Sequence, residues 1–350
     1  MQTTMDQFYK TSPKSSYDIY YVDWNEAEPH AHWLIKKPAS TLQHMTFESN
    51  VNWKDGGYPV TLCCSDVPNN TPFVIPKETV YHNVALIRSL LQKCVRRQLT
   101  DLALRTAWHF IKMDAQAFIR RLFVIMLEDV DIHPCLSTIV WLTSATSKGY
   151  SLTESQVKWL MGIVKYLCED SRKFYRGRLY GDKLDIRRLL RNIGVSHVDD
   201  SQRDVLYSIL FRSGYGGLPG DLCMFYDYAV TWLEKFTLGQ QLMCPPIQEL
   251  SLNFSPLKLQ EILTDGVVVS ADFHCFPQIL TTLVEYFPQF TELQIKKAIW
   301  EYSSKINTRG EPRYPSGSLV NTDQTDLLHI WDTIKEIVHQ TQSNLIKYHH

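Results

Sequence analysis

No Gly-Lys dipeptide occurs anywhere in the 350 residues, so the chain has no G-x-x-x-x-G-K-[ST] loop. Without that loop no backbone nest cradles phosphates and no lysine reaches them, which excludes ATP hydrolysis of the P-loop kind. An excess of one charge sign is missing too. Thirty-six basic side chains face 37 acidic ones, for a net charge of −1, so any affinity for nucleic acid has to come from a local patch. No apolar run approaches the ~20 residues of a membrane span. The N-terminus, with Gln2, Thr3, Thr4 and Asp6, lacks the basic and apolar regions of a signal peptide. Among the eight cysteines only Cys63 and Cys64 are adjacent, and no C-x-x-C spacing appears. That usage fits a reduced, intracellular protein with buried thiols. Internal repeats and low-complexity segments are also absent.

What is present is the composition of a globular protein: 44% hydrophobic and 21% charged residues, long enough for two or three packed units. Residues 1–15 read as a flexible tail. Residues 16–79 read as a β-rich region, with strands expected around Ile19 and Tyr21, from His32 to Ile35 and from Val60 to Cys64. Asp55-Gly56-Gly57 signals a turn, and Pro68, Pro72 and Pro76 mark an extended linker. Beyond Thr79 the pattern turns helical and stays so, divisible into a unit over 80–150 and a domain over 151–350. The fold class expected is therefore mainly α, with a small N-terminal β-containing region before a large helical body.

Several helix ends are legible. Ser151-x-x-Glu154 reads as a capping box ahead of Val157, Leu160, Ile163, Val164 and Leu167. Ser255-Pro256 reads as the start of another helix, Thr291-x-x-Gln294 caps a third, and Asp326 to Ile346 reads as a long terminal one. Glycines 214, 216, 217 and 220 lack a phosphate-binding pattern. They break the helix ending near Arg212, with Asp221 capping the next.

The first nine residues carry the strongest functional signal. Gln2 is followed by Met5 three positions later and by Phe8-Tyr9 three positions after that. Met5, Phe8 and Tyr9 fall on one side of a single helical turn, within a polar tail that continues as Lys10-Thr11-Ser12-Pro13-Lys14. Three apolar groups on one turn suit another protein's groove. The segment resembles the PCNA-interacting peptide box, Q-x-x-(aliphatic)-x-x-aromatic-aromatic. The resemblance implies that Gln2 enters a small polar pocket on the sliding clamp, while Met5 and Tyr9 plug a hydrophobic one beside Phe8. Asp6-Gln7 stands where boxes that double as destruction signals carry Thr-Asp, so clamp-coupled degradation is not expected.

Residues 82–135 form the second informative stretch, read as three short antiparallel helices. The first spans about Asn83 to Arg97, the second is capped by Thr100 or Asp101, and the third is capped by Asp114. Lys93-x-x-Arg96, Asp101-x-Ala103-Leu104, Asp114, Arg120-Arg121-Leu122, Glu128-Asp129-Val130 and Pro134 resemble elements of the C-terminal collar of MgsA/RarA-type ATPases. Those are clamp-loader-like AAA+ proteins of stalled replication forks, whose eukaryotic member interacts with the Werner helicase. The similarity covers about a sixth of the chain. It implies an oligomerising unit without chemistry, and hence a homo-oligomer. Arg120, Arg121 and Glu128 read as a structural ion-pair network.

Residues 172–191 hold eight basic side chains, Arg172, Lys173, Arg176, Arg178, Lys183, Arg187, Arg188 and Arg191, against Asp182 and Asp185, a local net of +6. Interleaved with Phe174, Tyr175 and Tyr180, they suit backbone phosphates and base stacking, or equally a solvated helix face. His30-x-His32 has metal-binding residue types, but no carboxylate or cysteine stands nearby at ligand spacing, and no metal or cofactor is expected. Asp272 and His274 read as a buried polar pair.

The expectation that follows is a non-catalytic, nuclear accessory or scaffold protein of DNA replication or repair, tethered to PCNA and contacting DNA through the basic segment. Two alternatives stand beside it. One is a metal-dependent nuclease using Asp18, Asp23 and Glu26 with His30 or His32. The other is an RNA-binding interaction protein using the basic segment.

Overall fold

The computed structural model describes residues 18–38, 45–65, 71–76, 83–170, 185–214, 219–258, 283–285, 287–299, 327 and 329–333. These are mainly helical, with one four-stranded sheet, as the sequence leads one to expect. The chain forms two compact units, each assembled from three stretches: 1–70, 140–150 and 179–241 in the first, 71–139, 151–178 and 242–350 in the second. The expected boundary near 79 follows the change from strand to helix, and the one near 150 follows the expected start of a helix at Ser151. The units follow packing instead, and they interleave along the chain.

The first unit contains the sheet, in the order β2-β1-β4-β3. β1 (Ile19–Val22) pairs antiparallel with β2 (Ala31–Leu34) and parallel with β4 (Tyr58–Ser65), while β3 (Met45–Trp53) pairs antiparallel with β4. Central β1 is buried along its whole length, which is why Ile-Tyr-Tyr-Val lacks a polar face. β3 is absent from the sequence-based expectation. Phe47, Ser49, Val51 and Trp53 do alternate with polar residues, but only Val51 and Trp53 become buried, so the apolar signal is confined to one end. The expected Asp55-Gly56-Gly57 turn closes the β3–β4 hairpin. Gly57 sits at φ +87° and donates its N–H to Trp53 O at 2.9 Å, and a Cβ at Gly56 would meet the Trp53 ring at 2.5 Å.

Three helices complete this unit: α5 (Ile186–Val195), α6 (Asp200–Ser213) and α7 (Pro219–Thr237). α6 starts on a reciprocal Asp199–Gln202 capping box and stops at Gly214, as its glycines signal. Asp221 lies inside the first turn of α7 and is not its cap. The face of α6 turned to the sheet runs Asp204, Ser208, Phe211, at i, i+4 and i+7. Phe211 packs edge-on against Tyr20, Trp33 and Trp53, and Ser208 bonds both Tyr20 Oη (2.7 Å) and Trp33 Nε1 (3.1 Å). Trp141, fully buried on α3 (Leu136–Thr146), donates its indole N–H to Tyr20 O at 2.9 Å. Its ring also meets Trp24, Phe47 and Tyr150.

In the second unit α1 (Val84–Arg96) packs along α2 (Thr100–Asp129), and α4 (Glu154–Glu169) packs on α2. α1 spans nearly the expected range, and Asn83 caps it, its side chain accepting from Leu86 N. The expected second and third helices both lie within α2, separated at Asp114 (φ −155°, ψ 91°), whose carboxylate caps the third as expected by accepting from Ala117 N at 2.8 Å. Neither Thr100 nor Asp101 caps α2. Leu99 occupies that position, and Asp101 pairs with Arg105 one turn on. The box of α4 is Thr153–Gln156, not Ser151–Glu154. That start leaves Leu152 and Val157 both buried, at the positions of a hydrophobic staple. α8 (Glu292–Ile299) begins on the expected Thr291–Gln294 box. Residues 255–258 have no regular structure, and the helical positions 327 and 329–333 are all that is described of the expected terminal helix.

Candidate functional site

The histidines singled out in the sequence do find a carboxylate, and it comes from far along the chain. His30 Nε2 lies 3.2 Å and His32 Nδ1 2.9 Å from the same oxygen of Asp204, Oδ2, across separations of 174 and 172 residues. Strand geometry puts the histidines together, because positions two apart on β2 and its lead-in share a face. Their rings meet edge-on with centroids 4.6 Å apart. Asp204 is buried in α6, and its other oxygen accepts the Trp33 backbone N–H at 2.7 Å, which fixes the carboxylate's orientation. His30 is mostly covered, while a third of the His32 side chain reaches solvent. Burial opposes charge on His32, but the hydrogen bond and negative charge of Asp204 outweigh it, helped by Glu26 and Asp200. The imidazole's pKa is therefore raised above 6.5.

The other acids proposed beside these histidines do not contact them as ligands, although Glu26 acts on His32 through its charge. Asp18, Asp23 and Glu26 do not belong to the His30–His32–Asp204 cluster, the one group of metal-ligating side chains among the described residues. Asp23 is committed to its own turn. Burial works against its charge, but hydrogen bonds from Ser65 Oγ (2.6 Å) and from the Asn25 amide (2.9 Å) and side chain (3.1 Å) outweigh that and hold its pKa below 3.8. The arrangement expected for a nuclease built on Asp18, Asp23 and Glu26 is thus not assembled. The sequence signal for Asp204 is Asp204-x-x-x-Ser208, a polar pair on the inward face of an apolar helix.

No family model, curated protein or solved structure matches this chain. Its sites are read from their own chemistry.

Of the basic segment, Arg187, Arg188 and Arg191 are described, and all three are exposed on α5, opposite buried Ile186, Leu189, Leu190 and Ile193. Asp185 caps the helix by accepting from Arg188 N at 2.9 Å. The Arg187 guanidinium lies over the β3–β4 turn, where a Cβ on Gly57 would come within 3.0 Å of its Nε. A cleft of about 360 Å³ beside it is lined by Lys54 and Arg187 but also by Asp55 and Asp185, so it mixes both charge signs. Arg172, Lys173, Arg176, Arg178 and Lys183 lie outside the described residues. So do Gln2, Met5, Phe8 and Tyr9 of the tail, and Asp272 and His274.

In the second unit the Arg/Glu/Asp positions form a polar cluster between α1 and α2. Arg96 Nε donates to Asp129 Oδ1 at 2.5 Å, with both groups buried. Gln92 Nε2 donates to Glu128 Oε2 (2.6 Å) and Asp129 Oδ2 (2.7 Å), and Gln92 Oε1 accepts from Arg121. Arg120, in contrast, is exposed. Burial raises the pKa of Glu128 and Asp129 adds to it, against the opposing pull of Arg121, Gln92 and Arg96. These bonds clamp the two helices, although Arg121 Nε is buried without a partner of its own. A groove of about 460 Å³ along α4 is lined by groups paired among themselves, Lys165 with Glu169 and Tyr166 with Asp170.

Proposed function

We propose that this chain is a non-catalytic accessory protein of DNA replication or repair, delivered to the PCNA sliding clamp by residues 1–9. The observation that carries the reading is the spacing of Gln2, Met5, Phe8 and Tyr9. It reproduces the glutamine, aliphatic and double-aromatic pattern of clamp ligands, with Met5, Phe8 and Tyr9 spaced for one side of a helical turn. Two features support it. The residues between Lys93 and Pro134 resemble a clamp-loader-like collar, which adds self-association through that unit to the proposal; a nuclear location is proposed with the replication role. The exposed arginines of α5 offer cations to the duplex that a sliding clamp encircles. Tethering then raises the local concentration of the body at DNA without strong intrinsic affinity.

A peptide of residues 1–15 binds PCNA in this reading, and the same peptide with Phe8→Ala and Tyr9→Ala does not, as read by calorimetric titration. Unchanged binding by the substituted peptide would overturn it. The DNA contact is tested separately. Replacing Arg187, Arg188 and Arg191 by Ala lowers the slope of log affinity against log salt by up to about 0.9 per lost phosphate contact. An unchanged slope removes α5 from the interface, and a steeper dependence for RNA than for DNA reassigns the surface to RNA.

A further inference from the structure

We propose that His30, His32 and Asp204 form a binding site for a divalent transition-metal ion of the zinc class, joining β2 to α6 and leaving one coordination position to solvent. His30 Nε2, His32 Nδ1 and a carboxylate oxygen of Asp204 all lie within 4.8 Å of one another. Zinc bound at about 2.0–2.2 Å by imidazole nitrogen and carboxylate oxygen, in a tetrahedron, separates its ligands by about 3.3–3.5 Å. The two nitrogen–oxygen separations here are 3.2 and 2.9 Å, a few tenths of an ångström short of that spacing, and the two ring nitrogens lie within 4.8 Å of each other.

The supporting shell fits as well. A ligating carboxylate needs its second oxygen held, and Asp204 Oδ1 already accepts the Trp33 N–H at 2.7 Å. The three ligands sit on or beside regular elements and not on a long loop: Asp204 within α6, His32 within β2 and His30 one residue before it. Two neutral imidazoles and one carboxylate leave a bound dication with a net charge of +1. Nitrogen and oxygen donors without sulfur suit zinc, cobalt, nickel or iron(II) over copper(I). The partial exposure of His32 provides a path for the ion and room for a water as fourth ligand. Three protein ligands with an open position are the pattern of sites where the metal meets a further molecule, unlike the closed four-ligand pattern of structural zinc. This site is independent of the clamp-binding reading, and neither stands or falls with the other.

The test uses the full chain, stripped with a chelator and titrated with ZnCl2 by calorimetry, beside His30→Gln and His32→Gln variants whose folding is checked by circular dichroism. The wild type is expected to take up one zinc per chain with a rise in melting temperature. Each variant is expected to lose at least tenfold in affinity together with that rise. Zinc that binds the wild type and both variants alike is held elsewhere and overturns the assignment, as does a wild type that binds none. X-ray absorption of the zinc-loaded wild type gives a readout that needs no variant. Two imidazoles in an all-nitrogen and oxygen shell support the site, and sulfur in the shell contradicts it.

Discussion

Asp23 and Asp129 show how differently two carboxylates of one chain are used. Asp23 takes three hydrogen bonds near the surface, from Ser65 and Asn25, and its pKa falls below 3.8 although burial pushes the other way. A group whose pKa is lower folded than unfolded stabilises the fold above its unfolded pKa, and that contribution vanishes as pH falls through the folded value. Asp23→Asn is therefore expected to cost about 1 kcal/mol at neutral pH. The gap from wild type closes as the medium is acidified through and below the ordinary carboxylate range. Urea unfolding midpoints across that range measure it, and a gap independent of pH would contradict the assignment. Asp129 is buried and answers the buried Arg96. Removing one partner strands the other charge in the interior, so Asp129→Ala is expected to cost about 3–5 kcal/mol in denaturant unfolding. A loss below about 1 kcal/mol would mean the pair is solvated.

At the scale of elements, the link between α1 and α2 holds the one positive-φ non-glycine residue among those described, Gln98 at φ 59°. Leu99 N returns to Cys94 O and Gln98 N to Val95 O, so Gln98 occupies the left-handed position after a helix that glycine usually fills. Gln98→Gly removes the Cβ strain and is expected to stabilise the protein by about 0.5–1 kcal/mol, partly offset by the freer unfolded chain. Thermal unfolding reads this as a rise in melting temperature, and a fall would contradict it. How far elements were readable depended on whether their cause is local. Asn83, the Thr291–Gln294 box and the stop at Gly214 act within one turn, and each is where the sequence puts it. At Ser151 and Thr153 two capping boxes overlap, and the burial of Leu152 and Val157 decides between them. β3 was hidden because half of its length faces solvent. The parallel β1–β4 pairing and the meeting of His30 and His32 with Asp204 depend on chain segments brought together across dozens to nearly two hundred residues. No periodicity in a short window encodes such a meeting, and only the Asp204–Ser208 polar pair on α6 hints at it.

For the whole molecule, two compact units are interleaved along one chain, and the segment proposed as its address is residues 1–9. The buried Arg–Asp–Gln cluster in the second unit answers its own charges, the arginines of α5 face outward from the first, and the histidine–aspartate cluster joins strand to helix. None of these features supplies a phosphate loop, and the proposal assigns the body to binding and not to nucleotide turnover. Its central claim is that Gln2 to Tyr9 brings this body to a sliding clamp. The most direct measurement is surface plasmon resonance of the full chain over immobilised PCNA, with wild type beside the Phe8→Ala, Tyr9→Ala double variant. Saturable binding by the wild type and at least a tenfold loss in the variant are predicted. Equal binding by both proteins, or none by the wild type, would contradict the account.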